Sequence, residues 1–355
     1  NQTLEKINEA CTMGVKLTEL LTPRELEFKD LKGKTIAVDA SNWLYQFLAV
    51  IRQPDGTPLA DAQGNVTSHL MGLFTRNLKL IQLGINLVYV FDGKSPELKL
   101  VTQQKREAVK NKAAAAYTQA VESNNVEGMR KYASMTSRLT PTMVQESKLL
   151  LKALGIPIVQ APSEAEAQAA FVVKQNDAFA IGSQDADSLL FGAPRTVRNL
   201  TFSGKRRTGA AKYAVVKPEM IDLKENLTHL GITQGQLIAL SMLVGTDYNH
   251  GGIPGIGPKK ALQLVKKHGT DFGEMFTSVN WQTHFSYPWQ EVFDTFMNIP
   301  LEKNYTWKQQ NPDRETILSL LAEKHGFSEE RVLSLLDPYI EFCKKRQKGL
   351  GEFFV

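Results

Sequence analysis

The sequence predicts an α/β fold in which short apolar strands alternate with helices. Residues 34–38 and 86–91 are apolar runs rich in β-branched side chains, and they end on Asp39 and Asp92. Such runs, followed by helix-forming sequence, are typical of an open α/β sheet, which builds its site at the carboxyl ends of its strands. With 355 residues, 42% of them hydrophobic, the chain can bury the core of one large domain or of two closely packed ones.

Composition narrows the class of protein. The 42 basic and 37 acidic side chains give a net charge of +5, which permits a polyanionic partner without requiring one. Cys11 and Cys343 offer neither a disulfide framework nor a zinc-binding spacing. No apolar run approaches the roughly 20 residues that span a bilayer. Because the N-terminus also lacks an apolar signal core, we expect an intracellular protein with no membrane partner.

The first part of the chain supplies most of the predicted strand and helix pattern. Residues 1–12 are polar and precede Met13, which has the character of a natural start, so we interpret them as an extension of uncertain origin. The strand at 34–38 leads into a helix, and a turn at 54–58 leads to an amphipathic helix over 67–83. Residues 97–137 are rich in Ala and Lys with few large apolar side chains. They predict a mobile, basic, helical excursion from the core.

The second part continues the alternation. A helix is predicted over 142–154, with strands at 156–159 and 178–182. Basic residues 205–207, flanked by predicted strands at 196–202 and 213–216, predict a hairpin on a sheet edge. A helix over 234–244 runs into Asp247, and the remainder is predicted to be helical to about Lys345, followed by a short tail.

Seven carboxylates lie at predicted element ends, namely Asp39, Asp92, Glu164, Glu166, Asp185, Asp187 and Asp247. If these side chains converge, their repulsion raises their pKa values unless cations neutralise it. Oxygen ligands without imidazole or thiolate suit Mg²⁺. Two such ions about 4 Å apart would also serve phosphoryl chemistry.

Each acid taken singly also has a structural explanation. Ser163 and Glu166 match a capping box, and Glu164 suits a helix N-terminus. Asp185 and Asp187 suit a turn. Caps alone do not account for four acids at strand ends, so the set as a whole favours a metal site.

A glycine-rich turn at residues 252–262 predicts a helix-hairpin-helix motif. Gly255 and Gly257 let the backbone approach a phosphate, a helix predicted from Pro258 points its first amides outward, and Lys259 and Lys260 add charge. Such a motif grips the duplex backbone without reading sequence. The alternative is an ordinary surface loop.

The chain end carries a second candidate binding element, formed by Gln347, Leu350, Phe353 and Phe354. Two adjacent aromatic side chains in a basic, exposed tail favour docking on a partner. The alternative is a tail that folds back on its own core.

Six motifs together carry a family resemblance: AVDAS, VFDGKSPELK, QAPSEAEAQAA, SQDADSLLFGAPR, LVGTDYN and GIGPKKAL. In this order and spacing they resemble archaeal flap endonucleases of the structure-specific 5′ nuclease family, of XPG/RAD type. The resemblance runs from Met13 to the tail. It implies a PIN-like α/β core with a central, mostly parallel sheet, a helical arch and a helix-hairpin-helix motif. It also implies that the seven acids hold two Mg²⁺ ions per subunit, for which Mn²⁺ can substitute.

The resemblance also assigns roles outside the metal site. Lys99 and Arg106 match a lysine and an arginine that reach the scissile phosphate and stabilise its developing charge. Tyr45 matches a tyrosine on which a base stacks, although its pattern alone favours core packing, and Arg52 matches a DNA-contact position. Gly14 matches a glycine near the active site. The tail is similar to a box that binds the sliding clamp (PCNA).

We expect six regions along the chain. They are an extension (1–12), an N-terminal nuclease region (13–110), a helical arch (111–140), an internal nuclease region with the helix-hairpin-helix (141–270), a C-terminal helical region (271–345) and a clamp-binding tail (346–355). A twelve-residue extension before Met13 could obstruct DNA, so we expect that removing it preserves or raises cleavage.

The resemblance implies a monomeric, Mg²⁺-dependent 5′ flap endonuclease with 5′–3′ exonuclease activity. It would act on branched DNA with a 5′ flap in replication, including Okazaki fragment maturation, and in repair, in the cytoplasm near the nucleoid if archaeal. The alternatives are a junction-resolving member of the same superfamily and a non-catalytic DNA-binding clamp partner. Seven clustered acids beside DNA argue against a non-catalytic binder, because only metals make that arrangement favourable.

Overall fold

The computed structural model describes residues 17–123, 125, 128, 132, 136–201, 205–207 and 213–351. In these residues the strands are β1 (Arg24–Glu25), β2 (Thr35–Asp39), β3 (Asn86–Phe91), β4 (Ile158–Gln160), β5 (Ala180–Gly182), β6 (Arg195–Arg198), β7 (Lys205–Arg207), β8 (Tyr213–Val215) and β9 (Glu219–Asp222). Seven of them form one sheet in the order β1-β9-β6-β5-β2-β3-β4.

The middle of this sheet is parallel. Strand β2 pairs in parallel with β3 and β5, and the same direction continues to β4 on one side and β6 on the other. Strands β9 and β1 complete the sheet with antiparallel pairs. The predicted α/β fold with a mostly parallel central sheet is therefore confirmed. Because β2, β3 and β5 run in one direction, the residues that follow them meet at one edge.

The helices are α1 (Ala40–Val50), α2 (Ser68–Gln82), α3 (Lys99–Glu122), α4 (Pro141–Ala153), α5 (Ala165–Lys174), α6 (Asp187–Leu190), α7 (Leu223–Leu230), α8 (Gln234–Val244), α9 (Pro258–His268), α10 (Phe272–Ser278), α11 (Trp281–His284), α12 (Trp289–Met297), α13 (Arg314–Leu318) and α14 (Glu329–Gly351). A 3-10 helix (Phe28–Leu31) and a π-helix (Ser319–Lys324) complete the set.

Both faces of the sheet are buried. In β2, Ile36 and Val38 lie in one apolar core and Ala37 lies in the other, because successive side chains of a strand point to opposite faces. The first core includes side chains of α1, α2, α4 and α14. The second core includes side chains of α5, α8, α9 and α12. The sheet thus gives α1 and α5 a rigid base beside the strand ends.

The basic residues 205–207 are placed differently from the prediction. They form strand β7, which pairs with β8 in a separate two-stranded sheet rather than on the edge of the main one. The preceding strand, predicted over 196–202, is β6 and ends at Arg198 inside the main sheet. It ends there because Asn199 adopts a left-handed φ of 64°, which asparagine tolerates better than most residues and which a strand does not continue through.

Two helices extend across boundaries drawn from the sequence. Helix α3 is continuous from Lys99 to Glu122, so the division at residues 110 and 111 falls inside a helix. Helix α14 continues to Gly351 rather than ending near Lys345, because Lys, Arg and Gln in this stretch are good helix formers. Strands β1 and β9 were not predicted, since β1 has only two residues and β9 begins and ends with an acidic residue.

In the part of the chain that the structure describes, no single helix is long and apolar enough to cross a membrane. Helices α7 and α8 pass that test only as a pair bent by 78°. Residues 236–243 of α8 are buried in the protein core.

Candidate active site

The first two acids sit where β2 and β3 end. Asp39 is 6% exposed and caps α1, since its Oδ1 accepts a hydrogen bond of 3.1 Å from the backbone amide of Asn42. Asp92 directly follows β3 and uses both carboxylate oxygens. Its Oδ2 accepts from the Ser41 hydroxyl at 2.5 Å, and its Oδ1 accepts from the backbone amide of Ala165 at 2.8 Å.

This last bond brings the second acidic pair to the same edge. Ala165 is the first residue of α5, so Asp92 satisfies a free amide at the start of that helix from a distant part of the chain. The capping box suggested by Ser163 and Glu166 is not formed. The N-cap residue is Glu164, without a capping bond from its side chain, and the Ser163 hydroxyl donates to the Lys94 carbonyl at 3.1 Å. The carboxylates of Glu164 and Glu166 are therefore not used to cap the helix and interact with the other acids of the site.

The third pair follows β5. Asp185 and Asp187 are each 8% exposed. The side-chain Nδ2 of Asn42 donates to Asp185 Oδ2 at 2.6 Å. The side-chain Oδ1 of Asn42 accepts from the Gln184 backbone amide at 3.1 Å. Asn42 was not identified from the sequence, because one asparagine in an amphipathic helix carries no signal of its own. Only the parallel pairing of β2 with β5 places it beside Asp185.

Asp247 reaches the site from the end of α8. Gly245 terminates the helix with φ 114°, a conformation that glycine adopts without steric cost. The following turn is fixed by Asn249, whose Oδ1 accepts from the Thr246 hydroxyl at 2.7 Å and whose Nδ2 donates to the Met242 carbonyl at 2.6 Å. Asp247 is therefore held rigidly although it lies in a loop.

Two cations of α3 face these carboxylates. The Lys99 ammonium donates to Glu164 and lies 3.4 Å from Asp247 Oδ2. The Arg106 guanidinium forms a two-pronged contact with Asp247. Lys99 and Arg106 are seven residues apart, two helical turns, and so share one face of α3. The role that the resemblance implies for them, contact with the scissile phosphate, stays a prediction.

The pKa values show that the acids act on one another. Burial and the neighbouring charge of Asp92 raise the pKa of Asp39 to about 7. Burial and then Asp187 and Asp39 raise the pKa of Glu166 and of Asp185 well above the usual range. Burial also raises the pKa of Glu164, although Lys99 opposes this. Burial disfavours the charged Lys99 ammonium, but Glu164 and Asp247 outweigh it and raise the pKa of Lys99. The structure thus brings all seven predicted acids together.

The donor set fits hard divalent cations. It offers carboxylate oxygens and no sulfur or imidazole, and the raised pKa values report a repulsion that a dication would relieve. In the described residues, no three His, Cys, Asp or Glu side chains already stand in a ligating arrangement. Glu164 and Asp247 are instead engaged by Lys99 and Arg106. Metal binding therefore requires these ion pairs to rearrange.

Two predicted DNA contacts lie on or next to α1. Tyr45 is half-buried rather than part of the core, and the Lys110 ammonium of α3 lies 4.8 Å from its ring centroid. The ring therefore lies at the edge of the core, where it contacts the Lys110 ammonium. Arg52 donates to the carbonyls of Ala49 (3.2 Å) and Gly56 (2.9 Å) and to the Ser137 hydroxyl (2.6 Å). Its guanidinium thus ties the chain after α1 to the segment that leads into α4.

The glycine-rich turn has the predicted helix-hairpin-helix form. Helices α8 and α9 pack together, Gly255 has φ 76°, and Gly257 is the N-cap of α9 with Pro258 as its first residue. Lys259 and Lys260 are exposed in the first turn. The free amides of this turn and the two ammonium groups make a surface suited to phosphate.

Five residues predicted to contact DNA or the clamp have side chains that lie outside the described part of the structure. Gly14, Phe353 and Phe354 lie outside the described residues. Gln347 and Leu350 lie within α14, where only the backbone is described.

Comparison with known proteins adds independent findings. Residues 13–113 match the XPG N-terminal domain and residues 155–247 match the XPG I-region. The flap endonuclease 1 of Aeropyrum pernix is 49% identical over 350 residues, which cover 96% of this chain and 100% of that protein. This chain belongs to the flap endonuclease 1 family. The resemblance found in the motifs is therefore confirmed.

Solved structures agree with membership of the flap endonuclease 1 family. The flap endonuclease-1 of Methanococcus jannaschii matches with a TM-score of 0.74 and 37% identity, over 94% of this chain and 100% of that one. The catalytic core of Rad2 in complex with a DNA substrate matches with a TM-score of 0.65 and 25% identity, over 92% and 100% of the two chains. The protein is thus a nuclease, a hydrolase of a metal-dependent, DNA-binding family of replication and repair.

Proposed function

We propose that this protein is a structure-specific 5′ flap endonuclease, with 5′–3′ exonuclease activity, that cuts where duplex meets a 5′ single strand. The observation that carries the proposal is the meeting of seven carboxylates with Lys99 and Arg106 at one edge of the sheet. The two cations lie on one helix face and contact the acids directly, so a phosphodiester would reach the centre by taking the place of these ion pairs. The products would carry 5′-phosphate and 3′-hydroxyl ends.

The seven acids would hold two Mg²⁺ ions, with Mn²⁺ able to substitute, some of them through water. When bound, such ions lower the pKa of water and neutralise charge on the leaving oxygen. Asp39, Glu166 and Asp185 would give up protons as the ions bind, since their pKa values are raised without them. Asn42 would keep Asp185 in its ligating orientation.

Lys99 and Arg106 would then exchange partners. Both now contact carboxylates, which the metal ions would take over. The freed ammonium and guanidinium groups can donate to the scissile phosphate and stabilise the negative charge that grows on it. Because both belong to α3, one movement of that helix would deliver them together.

Duplex and junction would be bound outside this centre. The α8–α9 turn, with Lys259 and Lys260, suits contact with a duplex backbone. The half-exposed Tyr45 ring suits stacking on a base at the junction. Gly14 and Arg52 are further candidates for contact with the DNA near the cut.

We extend the proposal to the partner and the assembly. The protein would act as a monomer and bind the sliding clamp (PCNA) through Gln347, Leu350, Phe353 and Phe354. A double variant, Phe353→Ala with Phe354→Ala, should weaken clamp binding in surface plasmon resonance and leave clamp-free cleavage unchanged. Equal clamp affinity would count against this assignment of the tail.

A labelled double-flap DNA tests the function directly. With Mg²⁺ we expect one incision at the junction, and with EDTA none. The variant Asp185→Ala should bind the same DNA in EDTA with little change but fail to cut it in Mg²⁺. Binding without metal-dependent incision by the wild-type chain would contradict the proposal, and so would full cleavage by the variant.

A further inference from the structure

A group of titratable side chains, partly buried in the protein, lies outside the carboxylate site. Its members are Asp61, His69, Glu146, Lys324 and His325, which we call the ionic cluster. His325 is central: its Nδ1 is 2.9 Å from Asp61 Oδ2 and its Nε2 is 3.1 Å from Glu146 Oε1. The side chains of His325 and Asp61 are 3% and 1% exposed. Burial of this kind makes every unpaired charge unfavourable.

His325 bridges two carboxylates through its two ring nitrogens, since Asp61 lies at Nδ1 and Glu146 at Nε2. Lys324, the preceding residue, also donates to Glu146 at 2.8 Å. His325 therefore joins Asp61 to a carboxylate that the Lys324 ammonium also holds.

His69 of α2 lies beside Glu146 and is uncharged. It is fully buried, its Nε2 is 3.7 Å from Glu146 Oε2, and neither of its ring nitrogens has a hydrogen-bond partner. Burial lowers the pKa of His69 to about 4. It therefore stays uncharged near neutral pH and adds no charge to the cluster.

Asp61 connects His325 to a surface element of the protein. Residues 52–66, which we call the hairpin, are closed by isolated bridges between Arg52 and Pro58 and between Ala60 and Val66. Asp61 accepts from the backbone amides of Gln63 (3.0 Å) and Asn65 (2.8 Å). One carboxylate therefore shapes the turn of the hairpin and anchors it to His325.

The base of the hairpin is linked to helix α3 through residues 137 and 138. Arg52 joins the Gly56 carbonyl of the hairpin to the Ser137 hydroxyl. The next residue, Arg138, pairs with Glu107 of α3 at 2.7 Å. The helix that carries Lys99 and Arg106 is thus connected through Arg138, Ser137 and Arg52 to the hairpin.

We propose that His325 is a positioning residue for the nuclease reaction, which by bridging Asp61 and Glu146 holds the hairpin, and with it Arg52, in the arrangement that receives branched DNA. The inference rests on the proposed function for its readout on DNA. Losing this bridge loosens the hairpin, so substrate binds less tightly while the carboxylates that carry out hydrolysis keep their places.

The test compares His325→Gln with His284→Gln, a matched control at an exposed histidine in α11. Under multiple turnover with double-flap DNA, His325→Gln should raise KM about tenfold with kcat within about twofold, whereas the control changes neither.

A second variant separates positioning from general stability. Asp61→Asn removes the carboxylate that His325 contacts, so it should raise KM as His325→Gln does, and the double variant should add little to either single change. A general loss of stability would instead make the two effects multiply. Multiplying effects in the double variant would overturn the proposal, as would an unchanged KM in a folded His325→Gln.

Amide hydrogen exchange without DNA keeps this test separate from the test of function. Residues 56–66 should exchange faster in His325→Gln than in the wild type, while the amides of β2 and β3 stay equally protected. If the wild-type chain did not cut flaps, the proposed function would fail, and the exchange data would still decide whether His325 holds the hairpin. Equal exchange in residues 56–66 would show that it does not.

Discussion

Asn42 orients Asp185 across the edge of the sheet. Its side-chain amide donates to Asp185 Oδ2 at 2.6 Å, and its own backbone amide donates to Asp39 Oδ1 at 3.1 Å. One residue of α1 therefore fixes carboxylates that follow two neighbouring parallel strands, β2 and β5. The side-chain amide of Asn42 is held against a 180° flip, because its Oδ1 accepts a hydrogen bond from the Gln184 backbone amide.

The variant Asn42→Ala should therefore weaken metal binding. Groups that orient metal ligands typically contribute 10- to 100-fold in affinity or activity, so we expect the Mg²⁺ concentration for half-maximal cleavage to rise by roughly that factor. Asn77→Ala is the control: this buried asparagine of α2 bonds to Tyr89 at 2.7 Å. It should lower stability without changing the Mg²⁺ requirement, and an equal shift in both variants would contradict the role of Asn42.

The crowded carboxylates predict an unusual pH dependence of stability in a chelator. The folded-state pKa of Asp39 is about 7 against an ordinary 3.8, so between these values the folded state binds more protons than the unfolded one. The free energy of unfolding should therefore fall, by a few kcal/mol, as pH rises from about 4 to about 7. Glu166 and Asp185 act in the same direction, since their pKa values are also raised.

Urea unfolding in EDTA and in Mg²⁺ measures this effect. Mg²⁺ should remove most of the decline, because the ions take the place of the protons. In EDTA, Asp185→Asn should lessen the decline, since it removes one of the carboxylates whose pKa values are raised. A wild-type stability that does not fall between pH 5 and pH 8 in EDTA would show that the carboxylates do not repel one another as inferred.

The sequence predicted the strands that end at Asp39 and Asp92, and the acids themselves, because these depend on local patterns of apolar runs and the residues that follow them. Lys99 and Arg106 were assigned from the family resemblance instead. What the sequence could not predict depends on contacts between distant segments. The bond from Asp92 to the start of α5, which replaces the expected capping box, spans 73 residues. The ionic cluster likewise joins side chains from four separate parts of the chain.

Lys99 and Arg106 should contribute to cleavage, and Lys99 should also contribute to the stability of the metal-free protein. Removing a donor that stabilises developing charge typically costs about 10²- to 10³-fold in kcat, so Lys99→Ala and Arg106→Ala should each lower single-turnover cleavage by that order. Without metal, Lys99→Ala also leaves Glu164 without its buried partner and should lower stability in EDTA. Lys105→Ala is a suitable control, since Lys105 lies on the same helix and is exposed. Variants that cut as fast as the wild type would remove both cations from the mechanism.

The α8–α9 turn should contribute binding that is independent of DNA sequence and sensitive to salt. Each ammonium group that neutralises a phosphate adds about 0.9 to the slope of log affinity against log salt. The double variant Lys259→Ala with Lys260→Ala should therefore bind duplex DNA more weakly, with a slope lower by about 2. Single-turnover cleavage at saturating protein should stay unchanged, because the carboxylates are untouched. Fluorescence anisotropy across a salt series measures the slope, and Lys303→Ala with Lys308→Ala, two exposed lysines elsewhere, is the control. If both double variants lower the slope equally, the turn is no more than part of a diffuse positive surface.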